Sequence, residues 1–159
     1  MIKKLAVFAA IAFALPANAS DENGDRFCLA QNIYFESANQ SFAGRVAVAN
    51  VVLNRVEDEQ FPSTVCDVVY QAEMEEDWRG NLIPLLHRCQ FSWYCDGKGD
   101  LPTDSDTWME AFRIAGMVLT FQYQDITEGS LWYHSDSVEP SWSKQLSLVT
   151  TIDNHLFYK

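Results

Sequence analysis

The chain has 159 residues, with 22 acidic against 11 basic side chains and a net charge of −11 at pH 7. This length suits one domain with a sizeable core, and the acidic balance argues against nucleic acid as a partner, because phosphate binding needs a basic surface. The four cysteines and three histidines lack the spacing of metal ligands, so we expect no metal site.

The N-terminal segment, residues 1–19, is predicted to be a signal peptide. Two lysines precede an apolar run, residues 5–15, and a small-x-small motif ends at Ala19. The apolar run is shorter than the roughly 20 residues that cross a bilayer, which makes a retained anchor the less favoured alternative. We therefore expect cleavage after Ala19 and a mature chain, residues 20–159, that is one domain in the periplasm or outside the cell, with no membrane segment.

The cysteines predict two disulfides, because an exported chain meets an oxidising compartment. Four cysteines allow three pairings. The short separation of Cys89 and Cys95 favours Cys28–Cys66 with Cys89–Cys95, but spacing alone leaves the other pairings open.

Helical periodicity of apolar residues predicts three helices in the first half of the chain. They are a first helix from Asp25, as its cap, to about Ala38, a second capped by Ser41 and carrying Val46 to Val56, and a short third from Ser63 through Tyr70 or Gln71. Residues 20–25 are polar, and we expect them to be frayed. Residues 73–88 are rich in acidic side chains, show no clear period and predict a surface excursion.

The second half combines one strong helix with short strands. Residues 90–93 look extended, and a turn-rich loop follows them. An amphipathic helix begins at Asp104 or Asp106, with Trp108, Ala111, Phe112, Ala115 and Leu119 on its buried stripe. A small sheet is predicted from residues 131–134 and 149–159, where Asp153-Asn154 can turn a hairpin. About four helices beside two or three antiparallel strands, without βαβ alternation, indicate an α+β domain of lysozyme-like size.

Glu36 is the most informative single residue. It shares a helix face with Leu29 and Ile33, so its carboxyl group borders the core. Burial, the negative end of the helix dipole and the neighbours Tyr34 and Phe35 would each raise its pKa, which suits a general acid. Periodicity alone nevertheless favours a solvated side chain, because helix ends read from sequence are uncertain by a few residues.

Several sequence blocks, in the same order and with similar gaps, closely resemble the spore cortex-lytic or cell wall hydrolase family. The blocks are residues 28–40 (CLAQNIYFESANQ), 44–56 (GRVAVANVVLNRV), 61–71 (FPSTVCDVVYQ), 89–96 (CQFSWYCD), 131–134 (LWYH), 140–142 and 152–158. The resemblance covers nearly all of residues 20–159, which makes it far more specific than a single short motif.

The resemblance implies a lysozyme-like α+β fold related to goose-type lysozymes and lytic transglycosylases, with Glu36 as the catalytic glutamate. It implies cleavage between N-acetylmuramic acid and N-acetylglucosamine of peptidoglycan, without a metal or organic cofactor. We expect a monomer whose partner is the peptidoglycan glycan strand. Polar and aromatic side chains suit a sugar groove. The residues assigned to substrate binding or support are Tyr34, Gln40, Tyr70, Gln71, Gln90, Phe91, Tyr133 and His134.

The chain departs from the family's usual Glu-Ala-Arg-Gly-Glu by having Gln40 where the second glutamate stands. Hydrolytic glycosidases use two carboxylates, whereas one glutamate suffices for lytic transglycosylation, so transglycosylation is the favoured reaction. Asp96 and Asp100 are the candidate second acids of a muramidase-type hydrolase. A non-catalytic peptidoglycan-binding or regulatory domain and an amidase remain alternatives.

Overall fold

The computed structural model of the protein describes residues 19–120 and 123–159. The predicted signal peptide lies outside the described residues except for Ala19, so its cleavage stays a prediction. None of the helices in the described part of the chain combines the length and the hydropathy needed to span a bilayer.

Four α-helices supply most of the core. They are α1 (Ala19–Ser37), α2 (Phe42–Glu57), α3 (Val65–Val69) and α4 (Ser105–Leu119). The Ser41 side chain caps α2 by accepting from the Gly44 amide at 3.2 Å, and the Asp104 side chain caps α4 by accepting from the Thr107 amide at 2.7 Å. Both caps agree with the sequence prediction. The cap of α3 is Thr64, one residue after the predicted Ser63.

The described strands form two antiparallel sheets. The strands β1 (Ala72–Glu76) and β2 (Leu82–Cys89) form a hairpin, and β3 (Trp132–Ser135), β4 (Leu148–Ile152) and β5 (His155–Tyr158) form a sheet in the order β3-β5-β4. Two short 3₁₀ helices cover Ser92–Cys95 and Ser141–Gln145. The α+β class with four helices and small antiparallel sheets is confirmed, although the strands outnumber the two or three expected.

The beginning of α1 corrects one prediction. In the described part of the chain α1 is helical from Ala19 onward, so Asp25 lies inside the helix rather than at its cap, and residues 20–25 are helical rather than frayed. Just after these residues, Arg26 donates from Nε to the Phe112 carbonyl of α4 at 3.0 Å, a tertiary contact that no local pattern could reveal.

Two other segments differ from their predicted form. Residues 73–88 are a surface excursion as expected, but they form a β-hairpin with a shift of register between Ala72 and Met74. The sequence hides it because both faces are largely exposed and no alternation develops. Residues 92 and 93 belong to a 3₁₀ helix rather than an extended run. The Cys89–Cys95 disulfide brings its two Cα atoms to 6.0 Å, and extended backbone between them would span about 20 Å.

The main core lies where α1 passes between α2, α3 and α4. Leu29 and Ile33 of α1, Val52 of α2 and Ile114 of α4 are fully buried, and Val68 of α3 closes the cluster. On the stripe predicted for α4, Ala111 and Ala115 are buried, while Trp108, Phe112 and Leu119 are partly buried at its edge. The last turn of α1 is therefore held rigidly, with Glu36 near its end.

A second contact region fixes the three-stranded sheet against α2. Ala47 and Val51 of α2 pack on Phe157 of β5. The turn between β4 and β5 has Asp153 at φ 53°, and its Oδ2 accepts from the Ser41 amide at 2.8 Å, just before α2 begins. Gly44 stands opposite this carboxylate, where a Cβ atom would collide with it. The sheet thereby brings β3 alongside the end of α1.

The two disulfides are Cys28–Cys66 and Cys89–Cys95, the pairing favoured by spacing. The first links α1 to α3 across 38 residues of sequence. The second closes a loop of only 6 residues at the end of the hairpin.

Removing the long-range disulfide should cost more stability than removing the local one. In the chain-entropy model, the loop of 38 residues contributes about 4 kcal/mol and the loop of 6 residues about 2 kcal/mol. We expect Cys28→Ala with Cys66→Ala to lose roughly twice the free energy of unfolding lost by Cys89→Ala with Cys95→Ala. Urea unfolding of both double variants measures this difference, and equal losses would contradict the assignment.

Candidate active site

Glu36 lies in the last turn of α1. Its side chain is partly buried and faces the three-stranded sheet. The Tyr133 hydroxyl of β3 donates a hydrogen bond to Glu36 Oε2 at 3.0 Å. The two residues are 97 positions apart in sequence, and packing of the sheet on α2 brings them together. The Glu36 side chain is therefore partly buried and hydrogen-bonded, and not freely solvated as periodicity alone had favoured.

Burial raises the pKa of Glu36 above its usual value, because desolvation penalises the charged carboxylate. The hydrogen bond from Tyr133 and the positive charge of Arg55 each lower this pKa, but burial outweighs them. Tyr34, predicted to be an apolar neighbour of the carboxyl group, instead points its hydroxyl at the start of α4. A carboxyl group with a raised pKa stays protonated nearer to neutral pH, as a general acid requires.

Tyr133 remains a donor over the whole physiological range. Its pKa lies well above the usual value because the phenol is desolvated and the Glu36 carboxylate disfavours a second negative charge beside it. The ring is held by an edge contact to His155 and a tilted contact to Phe157, with centroids 5.2 and 5.6 Å away. The Tyr133 hydroxyl therefore fixes one carboxyl oxygen of Glu36 in place.

A cavity of about 300 Å³ opens over Glu36. Its lining residues are Glu36, Arg55, Gln90, Phe91, Ser92, Trp132, Tyr133, His134, Pro140 and Trp142. Among these ten, Glu36 is the sole carboxylic acid. Of the residues predicted from sequence, the cavity brings together Glu36, Gln90, Phe91, Tyr133 and His134.

Four residues assigned to the groove lie outside this lining and serve the scaffold. The Tyr34 hydroxyl accepts from the amides of Thr103 and Asp104, both at 3.1 Å, and Tyr70 donates its hydroxyl to Gln31. Their aromatic rings had suggested sugar contacts, but tertiary hydrogen bonds direct them elsewhere.

The other two are Gln40 and Gln71. Gln40 donates to the Asn39 side chain at 2.7 Å, just beyond α1. The Gln71 carbonyl accepts from the Gln90 amide at 2.8 Å, so this residue supports a lining residue through its backbone.

The candidate second acids also lie outside the lining. Asp96 accepts from the Lys98 amide at 2.8 Å and from its Nζ at 3.1 Å, which lowers the pKa of this carboxyl group. Asp100 contributes its backbone carbonyl to Gln31 at 2.6 Å. Within the described ranges, no group of three or more His, Cys, Asp or Glu side chains is arranged to hold a metal ion.

Arg55 is the main site residue that the sequence analysis missed. The residue is 3% exposed, and its guanidinium donates from Nε to the Leu131 carbonyl at 2.8 Å. With its side-chain amide turned so that the oxygen faces Arg55, Gln90 accepts from the same guanidinium, at 3.2 Å from Nη1 and 3.0 Å from Nη2. Burial lowers the pKa of Arg55 to about 10, so the group stays charged at neutral pH. Arg55 lies one helical turn beyond Val51 and Val52, so the sequence could have indicated that it shares their buried face of α2.

Trp132, Pro140 and Trp142 were also not assigned to the site, although all three belong to sequence blocks that carry the family resemblance. The Trp132 ring lies 6.0 Å from that of Phe61, and the Trp142 ring is 5.5 Å from that of His134. His134 is itself fixed, since Nδ1 donates to the Ser135 carbonyl at 2.9 Å and Nε2 lies 2.9 Å from the Tyr158 hydroxyl. The part of the cavity wall that these residues form is therefore aromatic and ordered.

Glu36→Gln should remove a loss of folding stability that the wild-type protein undergoes as pH rises. The wild-type carboxyl group has a higher pKa folded than unfolded, so its ionisation costs stability as pH rises through that interval. We expect the free energy of unfolding of the variant, relative to wild type, to increase between pH 4 and pH 8 in urea titrations. As a control, Glu110→Gln should change in the opposite direction, because Arg113 lowers the pKa of Glu110. A flat difference for Glu36→Gln would contradict the raised pKa.

Comparison with known proteins adds family information to this geometry. A family model described as Cell Wall Hydrolase matches residues 39–158, beginning three residues after Glu36. The spore cortex-lytic enzyme of Halalkalibacterium halodurans is 39% identical over 144 residues, which cover 90% of this chain and 36% of that protein. The spore cortex-lytic enzyme of Bacillus subtilis is 37% identical over 62 residues, 39% of this chain and 20% of that protein. The chain thus spans about a third or less of these relatives.

Solved structures of similar fold come from the same kind of protein as the sequence relatives. The catalytic domain of the germination-specific lytic transglycosylase SleB from Bacillus anthracis superposes with a TM-score of 0.62 at 25% identity, over 91% of this chain and 100% of that one. The catalytic domain of the Bacillus cereus SleB protein gives 0.59 at 25% identity, over 86% and 91%. These matches confirm the lysozyme-like α+β fold. Together with the family match over most of its length, they show that the chain belongs to the cell wall hydrolase family.

Proposed function

We propose that this chain cleaves the glycan strands of peptidoglycan between N-acetylmuramic acid and N-acetylglucosamine, as a lytic transglycosylase in which Glu36 acts alone. The observation that carries the proposal is a half-buried carboxyl group with a raised pKa, the sole acid lining its cavity. Family membership supports cell wall peptidoglycan as the substrate. The Bacillus anthracis structural neighbour, itself described as a lytic transglycosylase, supports the reaction type.

The first step is protonation of the glycosidic oxygen. Glu36 enters the reaction protonated and donates its proton to the bridging oxygen as the bond from that oxygen to muramic acid C1 breaks. The N-acetylglucosamine side leaves with a free hydroxyl, and positive charge develops at C1. Because Tyr133 occupies Oε2 of Glu36, we assign the proton transfer to Oε1.

The second step closes a ring within the muramic acid. The Glu36 carboxylate removes the proton of the C6 hydroxyl, whose oxygen bonds to C1 and forms a 1,6-anhydro sugar. The carboxyl group is thereby protonated again, so no water is consumed and no second acid is required. Tyr133 holds the carboxyl group throughout, and Arg55 supplies a fixed positive charge that limits the rise of the Glu36 pKa.

Muramidase-type hydrolysis is the alternative reaction at the same bond. It requires a second carboxylate, about 5 Å from the first for retention or about 6.5 to 9.5 Å for inversion, to act as nucleophile or to activate water. Asp96 and Asp100 do not line the cavity, and Gln40 cannot ionise. Transglycosylation therefore accounts better for the residues present.

The proposal extends to where the protein works. A signal peptide over residues 1–19 would direct residues 20–159, as a single catalytic domain, to the periplasm or the medium, where cell wall is accessible. There it would act as a monomer on glycan strands. The two disulfides are consistent with an oxidising compartment.

Glu36→Gln should abolish clearing of a sacculus suspension while leaving sacculus binding close to wild type. The amide keeps the size and one hydrogen-bond acceptor of the carboxyl group but cannot donate the proton, so we expect a loss of at least about 100-fold. Turbidity measures clearing, and co-sedimentation measures binding. Equal clearing by the variant would remove Glu36 from the mechanism. Binding without clearing by wild type would favour a non-catalytic binding domain instead.

Tyr133→Phe should move the alkaline limb of the clearing rate to higher pH. In the wild type, the hydrogen bond from Tyr133 lowers the pKa of Glu36. The variant lacks this bond, so its Glu36 has a higher pKa and stays protonated further into the alkaline range. The maximal rate should fall about tenfold, because the carboxyl group is no longer held. Tyr123→Phe, at an exposed position outside the cavity lining, is the control. A limb that stays in place, or moves to lower pH, would argue against the hydrogen bond as the cause.

A further inference from the structure

The cavity over Glu36 continues into a second one, which we call the aromatic extension. Its volume is about 420 Å³, and its lining residues are Gln90, Trp132, Trp142, Gln145 and Leu146. Three of these, Gln90, Trp132 and Trp142, also line the cavity over Glu36. The two cavities therefore form one groove, with both tryptophans at the junction.

The chemistry of the aromatic extension is neutral. Its five residues provide two indole rings, two side-chain amides and one leucine, without a charged group. The peptide stem of peptidoglycan carries carboxylate and ammonium groups, which lose hydration on burial and need opposite charges in return. A pyranose ring instead offers an apolar face to an indole, and hydroxyl and acetamido groups to amides.

Trp142 is held in position before any ligand arrives. Its ring makes edge contacts with His134 and Tyr158, with centroids 5.5 and 5.6 Å away and planes at 73° and 86°. His134 and Tyr158 are in turn stacked on each other and joined through Nε2 and the hydroxyl at 2.9 Å. A ring fixed by two neighbours loses little freedom on binding, so a sugar that stacks on it gains more affinity.

We infer that the aromatic extension binds a neutral N-acetylhexosamine ring of the glycan strand, one without a peptide stem, stacked on Trp142. This inference rests on the proposed function and deepens it, because it assigns a sugar-binding position beside the scissile bond. The groove would then bind the strand through a sugar that every peptidoglycan repeat contains. This binding would not depend on the peptide stem that the adjacent muramic acid carries.

Chitotetraose, a neutral oligomer of N-acetylglucosamine, is the probe. In the Glu36→Gln background, which prevents cleavage, calorimetry should detect its binding, and Trp142→Ala should weaken the affinity about tenfold, as expected for loss of an aromatic contact. Trp142→Phe should lose less, because it keeps a ring and preserves folding. Trp78→Ala, which removes a tryptophan 85% exposed outside the groove, should leave the affinity unchanged. A free stem peptide should not displace the sugar.

Three results would overturn the inference. They are no measurable binding of chitotetraose by the folded protein, equal affinity in Trp142→Ala and its parent, and displacement of the sugar by the stem peptide. None of them depends on catalysis. Failure of the proposed function would appear separately, as sacculus clearing that survives Glu36→Gln.

Discussion

The hydrogen bond from Tyr133 to Glu36 Oε2 is the contact on which the site depends. It joins the end of α1 to β3, in a sheet that is placed against α2 by Phe157 and by the bond from the Ser41 amide to Asp153. Burial raises the pKa of the carboxyl group, and the tyrosine limits that rise while holding the group still. The contact therefore fixes the geometry of the acid and moderates a pKa that burial raises.

Arg55 also acts against the rise of the Glu36 pKa that burial causes. Its buried guanidinium lowers the pKa of the Glu36 carboxyl group through its positive charge, while its own donors bind the Leu131 carbonyl and the Gln90 amide. The charge acts on Glu36 without replacing Tyr133 as the group that holds it. Gln90 thus makes two contributions, since it contacts the Arg55 guanidinium and also lines the groove that continues past Trp142.

Local signals predicted the scaffold well, since the caps at Ser41 and Asp104 and the turn at Asp153 depend on nearby residues. The helix face that carries Glu36 was visible as well, although periodicity alone favoured a solvated side chain and the family resemblance was needed to assign Glu36 to the site. The sequence could not reveal which aromatic and amide side chains share its cavity, because packing between distant segments decides that. Tyr34 and Tyr70 were assigned to the groove and instead bond to the scaffold, whereas Arg55 and Trp142 were missed. The exposed hairpin gave no alternating pattern to detect.

The central claim is that Glu36 completes the reaction without water or a second acid. Digestion of purified sacculi in water enriched in ¹⁸O, followed by mass spectrometry of the released fragments, tests it directly. Transglycosylation predicts 1,6-anhydromuramyl ends, lighter by one water than reducing ends and free of ¹⁸O. Reducing muramic acid ends that carry ¹⁸O would contradict the account, because they show that water, rather than the C6 hydroxyl, attacks C1.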